Sequence, residues 1–328
     1  MPHLSITRIL PVVALAALLV AGLSVAAGCG DDAGGASKAP LTVMATGTVL
    51  TDIAQNVAGD RFTVESLAPF GADLHAYEPT TRDLARVSEA DIFILNGGGL
   101  EETLEDTLRS AAPDTTFVVA SEGLTPRTPQ PGEPLHHDEE ATGEEEAGHE
   151  KEADPHYWLD PTRVIAYVEN TRDAYSAADP DGAGEYAANA AAYIAELEDL
   201  DAWIEEKVAT LPVDRRVLIM NHVSHGYFAG RYGFRIAGAV IPSVSTGASP
   251  TAKQLAELVA TIREQNVPAI FVQGIENPQL AEQIAAETGI TVVDDLRAGS
   301  LSEPGGDAPT YIEMMKSGTR KIVEALKQ

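Results

Sequence analysis

The chain reads as an α/β protein of two parallel-sheet lobes joined by one long rigid helix, with a cleft between the lobes. Three observations carry this reading. Short β-rich apolar runs alternate with helical patterns from Leu41 to Ala120. The same alternation returns from Arg216 to the C-terminus. Between them lies one unbroken amphipathic period, and nothing in it punctuates a helix.

In the first series the strands fall at Leu41 to Ala45, Phe62 to Leu67, Asp91 to Asn96 and Thr116 to Ala120. Helical stretches at Val49 to Ala58, Thr80 to Ser88 and Leu100 to Ala111 alternate with them. Strands separated by helices have the spacing of parallel crossovers. In the middle of the chain, Tyr186, Ala190, Tyr193, Leu197, Leu200, Ile204 and Val208 recur at alternating spacings of four and three. Glu196, Glu198, Asp199, Glu205 and Glu206 fall on the other faces, so one helix is expected from about Ala183 to Thr210. The second series has strands from Arg216 to Met220, Arg235 to Ile241, Ala269 to Gln273 and Ile290 to Asp294. Its helices run over Pro250 to Gln265, Pro278 to Thr288 and Tyr311 to Leu326. Ser249-Pro250 reads as a cap with a first-turn proline, and Gly289 as a helix stop. The expected organisation is residues 41–180 as an N-terminal lobe, 181–211 as the linking helix and 212–328 as a C-terminal lobe. A cleft between such lobes is faced by the strand-end loops of both.

At 328 residues with 44% apolar content, there is enough chain for two well-filled cores. The formal net charge of -28 repels polyanions, so nucleic-acid partners are not expected. Arg8 followed by an uncharged, Ala/Leu/Val-rich run from Ile9 to Gly28 reads as an export signal over residues 1–28. The run ends on Cys29, the only cysteine, in a context like a bacterial lipobox, although Ala26 stands where leucine is usual. Lipid on Cys29 would anchor the mature chain to the cell membrane through a flexible tether over residues 29–40. The alternative is an uncleaved membrane anchor. In the mature chain no thiol remains for disulfides or nucleophilic catalysis.

Residues 124–153 are first proline-rich and then rich in His and Glu, with His136, His137 and His149. From Pro131 to Pro155 ten acidic residues stand against Lys151 alone, which reads as a disordered, solvated loop. Its three histidines make transient metal capture the alternative reading of the loop.

Three other histidines lie in unlike contexts far apart in the chain: Asp73-Leu74-His75-Ala76-Tyr77-Glu78-Pro79, Asp154-Pro155-His156-Tyr157-Trp158-Leu159-Asp160-Pro161, and Asn221-His222-Val223-Ser224-His225. All fall at turn-rich strand ends, so the fold rather than a local finger would assemble them into a metal site in the cleft. Each metal-binding imidazole needs its second ring nitrogen held by an acceptor; Asp73 and Glu78 flank His75, and Asp154 and Asp160 flank His156. Gly97-Gly98-Gly99 precedes Leu100-Glu101-Glu102 with no Lys-Ser/Thr, so it reads as a strand-to-helix turn and not a phosphate loop.

The sequence here resembles the metal-binding solute-binding proteins of bacterial zinc and manganese ABC importers, the cluster A-I or zinc-uptake family. The resemblance spans nearly the whole mature chain. It rests on Gly71-Ala72-Asp73-Leu74-His75-Ala76-Tyr77-Glu78-Pro79, Asp154-Pro155-His156-Tyr157-Trp158-Leu159-Asp160-Pro161, the His222 segment through Tyr227-Phe228, and Thr310-Tyr311 with Met314-Met315. It implies a lipid-anchored, monomeric extracytoplasmic receptor, not an enzyme, that captures Zn(2+) and hands it to an ABC permease and its ATPase. The family's ligands fall on His75, His156 and His222, with His225, three residues on, as the alternative to or sharer with His222. The family's fourth ligand is an aspartate, and its position here is Gly299. Asp294 and Asp295 lie just upstream; Asp295, which shares strand parity with position 299, is the preferred fourth ligand, and a water molecule is the alternative.

Three imidazoles and one carboxylate suit zinc, whereas manganese favours more oxygen ligands. Because unperturbed imidazoles protonate near pH 6.5, affinity is expected to fall below that value. The rival readings are a zinc-dependent hydrolase, against which stands the absence of a His-Glu-x-x-His pair, and a manganese-binding receptor or adhesin of the same fold.

Overall fold

The computed structural model describes residues 40–130, 132–134, 153–273 and 278–327. The signal segment, Cys29 and the His136, His137 and His149 run lie outside the described residues. In the N-terminal lobe the chain runs β1 (Val43–Ala45), α1 (Thr48–Ala58), β2 (Val64–Ser66), α2 (Thr81–Ser88), β3 (Ile92–Leu95), α3 (Glu102–Ala111) and β4 (Thr116–Val119). Two helices follow, α4 (Pro161–Ala178) and the 27-residue α5 (Ala183–Ala209). The second lobe is β5 (Val217–His222), α6 (Gly226–Tyr232), β6 (Arg235–Ile241), α7 (Ala252–Gln265), β7 (Ala269–Gln273), α8 (Gln279–Thr288), β8 (Thr291–Leu296) and α9 (Tyr311–Leu326).

Both sheets are four-stranded and parallel, in the orders β2-β1-β3-β4 and β6-β5-β7-β8. The order reverses direction at β1 in one lobe and at β5 in the other. In a parallel sheet such a reversal leaves a crevice at the C-terminal strand ends, because the flanking crossovers depart to opposite faces. The strands bear this out in composition: β3 and β7 are buried at every residue, as strands covered on both faces must be.

The linking helix has the buried face its period predicts. Tyr186, Ala190, Tyr193, Leu197, Leu200, Ile204 and Val208 are all buried, while the glutamates between them face out. Burying side chains of this size contributes roughly 1.5–3 kcal/mol each for the larger ones. The helix packs against α1 and α4 and also against α6 and α9 of the second lobe, so it is shared by both lobes.

Several expectations change at the element level: α6 was not foreseen, and β5 and β8 run two residues past their expected ends. Helix α4 was not foreseen, though its start is readable: Asp160 caps it by accepting from the Thr162 amide at 3.0 Å, with Pro161 in the first turn. Helix α7 begins two residues later than Pro250, because Thr251 rather than Ser249 is the cap. Thr251 Oγ1 accepts from the Gln254 amide, and the Gln254 side chain accepts in return from the Thr251 amide at 2.7 Å. Gly289 ends α8 in the left-handed region at φ 80°, as expected of a helix-stop glycine.

Candidate metal centre

The three separated histidines meet in the cleft. His75 sits on a single 3₁₀ turn, Leu74–Ala76, beyond β2, and the Asp73 carboxylate shapes that turn by accepting from the His75 amide at 3.0 Å. The other Asp73 oxygen accepts from Thr246 Oγ1 of the second lobe at 2.7 Å. His156 precedes a second 3₁₀ turn, Tyr157–Leu159, and His222 is the last residue of β5. Nε2 of His156 lies 3.2 Å from Nε2 of His75 and 3.3 Å from Nε2 of His222. His156 and His222 are buried and His75 is partly exposed, which places the open side of the group at His75.

Local hydrogen bonds set the orientation of His156. Asp154 Oδ1 accepts from the His156 amide at 3.0 Å and pairs with its Nδ1 at 2.8 Å. An ionised carboxylate only accepts, so Nδ1 carries the hydrogen and the Nε2 lone pair points at the other two rings. Burial alone would raise the Asp154 carboxyl; the hydrogen bond and charge of His156 together with Arg127 outweigh it and hold the group below the usual carboxylate range. Asp160 and Glu78, the other flanking carboxylates, do not serve the rings: Asp160 caps α4 and Glu78 is exposed.

The turn after β3 supports the same segment from behind. Gly97, Gly98 and Gly99 all have positive φ, and the buried Glu101 carboxylate accepts from the Asn96 and Gly97 amides at 2.7 and 3.0 Å. This is a strand-to-helix turn closed by its own carboxylate, which burial pushes up to about 7 despite those amide donors. Asn96 Nδ2 in turn donates to the Pro155 carbonyl at 3.0 Å, and a Cβ on Gly98 would meet the Tyr157 ring at 2.6 Å. Only glycine lets the His156 segment approach this closely. Sequence reasoning missed the parts played by Asn96 and Glu101; the signal available was a glutamate two residues past a glycine run.

Burial, then the neighbouring His156 and His222 rings, hold the His75 imidazole down to about 2. Burial likewise lowers His156, against the opposing pull of Asp154. These two rings therefore protonate less readily than free imidazoles, and the loss of affinity expected below pH 6.5 moves to lower pH for them.

Around the rings is a cavity of about 20 Å³, lined among others by Asp73, Thr246, Gln273 and Gly299. That is room for about one small ion or water-sized sphere. Position 299 thus faces the histidines, and glycine brings no donor atom to it. The structure does not bring Asp295 to this group: β8 runs on to Leu296, and its pairing with β7 shifts register between Phe271 and Gln273. The Asp295 side chain is 67% exposed and pairs with Lys321 Nζ at 2.8 Å. Asp294 is also exposed. His225 lies beneath the site with Nδ1 2.9 Å from Ser224 Oγ. Among the described residues the group able to share one ion is His75, His156 and His222.

With this geometry in place, the chain's relatives are informative. The profile of ZnuA, the periplasmic zinc-uptake complex component A, matches residues 43–325. The chain belongs to this zinc-uptake component A family. It is 33% identical over 306 residues to the manganese-binding lipoprotein MntA of Halalkalibacterium halodurans, covering 93% of this chain and 95% of that protein. It is 31% identical over 286 residues to the iron-binding protein YfeA of Yersinia pestis, covering 87% and 86%. Among solved structures, the periplasmic zinc-binding protein TroA of Treponema pallidum superposes with a TM-score of 0.75 at 26% identity, covering 87% of this chain and 99% of that one. A manganese-bound periplasmic metal-binding protein from Candidatus Liberibacter asiaticus superposes with a TM-score of 0.73. As a member of the component A family the chain is an extracytoplasmic metal-binding receptor of an ABC importer, and not an enzyme.

Proposed function

We propose that the ion this receptor captures is zinc, held by Nε2 of His75, His156 and His222, and that lipid on Cys29 keeps the receptor at the membrane beside its permease and ATPase. The observation that carries the ligand set is the spacing of the ring nitrogens, 3.2 and 3.3 Å. With Zn–N bonds of about 2.0–2.1 Å, two ligands of a tetrahedron stand about 3.3–3.4 Å apart, so a zinc ion fits between these rings with little movement. Zinc itself is favoured by donor type: three neutral imidazoles and, among the described residues, no carboxylate in the group. Manganese wants oxygen donors and higher coordination, and zinc stands above it in the general affinity order.

Manganese is the second reading, favoured by what MntA is named for binding. The two separate in one experiment. The mature chain is loaded with equal zinc and manganese and its bound metal is counted by mass spectrometry, alongside His156→Ala. One zinc per chain, absent from His156→Ala, is the expected result. Manganese in the wild type would overturn the zinc assignment, and metal retained by His156→Ala would overturn the ligand set.

A further inference from the structure

Among the described residues, a buried ion network stands behind the metal-binding group. Arg127 follows β4, and its guanidinium reaches two carboxylates at once. Nε donates to Asp154 Oδ2 at 2.5 Å, and the two terminal nitrogens form a fork on Glu133, one of them at 2.8 Å. All three side chains are at least nine-tenths buried, with exposures of 9% for Arg127, 4% for Asp154 and 2% for Glu133. Tyr227 seals the cluster: its hydroxyl donates to the Asp154 carbonyl at 2.9 Å and accepts from the Arg127 amide at 3.2 Å. Buried charges are costly unless paired, so an arrangement in which one guanidinium serves two carboxylates is a specific construction and not a surface accident. Glu133 lies just before the acidic segment of the chain and Asp154 just after it.

We propose that Arg127 is a positioning residue for metal capture: by holding Glu133 and Asp154 on one guanidinium, it fixes the Asp154 carboxylate in the orientation that pairs with Nδ1 of His156 and leaves the His156 Nε2 facing the ion. The proposal rests on the reading that His156 is a ligand. Without the guanidinium, Asp154 Oδ2 loses its buried partner, and the carboxylate is free to turn away from the His156 ring. An Asp154 that has turned away no longer holds the Nδ1 hydrogen of His156. The ring is then free to carry its hydrogen on Nε2, the tautomer that has no lone pair for the metal. The positive charge of Arg127 by itself opposes a cation, so a purely electrostatic role would have the opposite sign.

Gly226 supplies a second way to test this. A Cβ there would lie 1.9 Å from the guanidinium carbon, so Gly226→Ala displaces Arg127 while keeping its charge. Zinc affinity is measured by competition with a chelating dye for the full mature chain, Arg127→Met, Arg127→Lys, Gly226→Ala and His156→Ala, with thermal unfolding of each metal-free protein as the check on folding. In parallel, nitrogen NMR of the metal-free protein reads the His156 tautomer. Losses of roughly 10–100-fold are expected for Arg127→Met and Gly226→Ala, the range typical of partners behind a metal ligand, with a mixed His156 tautomer in both. Arg127→Lys keeps a charge but not the fork and falls between them and the wild type. Unchanged affinity and tautomer in Arg127→Met and Gly226→Ala, with binding lost in His156→Ala, would overturn the positioning role alone. Binding retained in His156→Ala would overturn the ligand reading on which it rests.

Discussion

At the scale of single residues, the unusual position is Gly299. It lines the cavity between the three rings, yet its neighbours are ordinary: Ala298 offers its carbonyl to Trp158, and Ser300 offers its hydroxyl to the Gly71 amide at 2.8 Å. The backbone around 299 is therefore held, and what varies is only what the side chain brings. An aspartate there would add an oxygen donor and a negative charge beside neutral imidazoles, both of which favour a harder cation. Gly299→Asp is expected to tighten divalent-metal binding and raise the share of manganese taken up from an equal mixture with zinc. Asp295→Ala in the same mass-spectrometric assay is expected to leave both unchanged, because that carboxylate is committed to Lys321 at the surface. A loss of metal from Asp295→Ala would show that the loop after β8 rearranges around the ion.

At the scale of elements, the lobes are joined by more than the linking helix. Trp158 Nε1 donates to the Ala298 carbonyl at 2.6 Å, the Leu301 amide donates to Thr48 Oγ1 at 3.0 Å, and the Tyr311 amide at the start of α9 donates to Asp52 Oδ2 at 2.9 Å. These bonds tie the segment between β8 and α9 to the first lobe on both sides of Gly299. Trp158→Phe removes one donor and leaves a buried carbonyl without it, which costs about 1–3 kcal/mol. Urea unfolding should show that loss with an unchanged slope; a loss below about 0.5 kcal/mol would mean the strap is held without this bond. None of these bonds was legible in the sequence. What was legible were local periods: the seven buried positions of α5, the alternation of strand and helix, and the glycine stop at 289. What was not were features decided by partners far away in the chain. The Trp158 to Ala298 pair is separated by 140 residues, and no period announces it. Helix α4 was missed for a different reason, since its apolar positions, Val164, Tyr167, Val168, Thr171 and Tyr175, include a threonine and polar-tipped tyrosines that weaken the pattern. The histidines themselves were found because their turn chemistry is local: Asp73 and Asp154 each accept from the amide of the histidine two residues on.

At the scale of the whole molecule, the buried titratable groups set how the metal-free receptor meets acid. Two carboxylates are raised, Asp52 to about 6 and Glu101 to about 7, in both cases chiefly by burial. The folded chain binds their protons more readily than the unfolded chain does, so their contribution improves as pH falls from those values to about 4 and is complete below that. Histidines act in the opposite sense. Burial, helped by the nearby rings, lowers His225 to about 3 and His75 to about 2, so from about pH 6.5 downward the unfolded chain gains protons that the folded chain refuses. Between about pH 6.5 and 4.5 the two effects oppose each other; below about pH 4 only the histidines and the depressed carboxylates such as Asp154 remain, and all of them destabilise. The thermal midpoint of the metal-free protein is thus expected to change little over the first window and to fall steeply in the second. His225 is the residue on which to test this, because it shares the burial but stands outside the group of three rings. Replacing it by Gln removes one site of unfolded-state proton uptake, so His225→Gln should flatten the acid limb relative to its own midpoint at neutral pH. Melting curves from about pH 7 down to about pH 3 with equal acid slopes in the two proteins would mean that the buried imidazoles do not govern the acid response, and that the carboxylate network around Arg127 does.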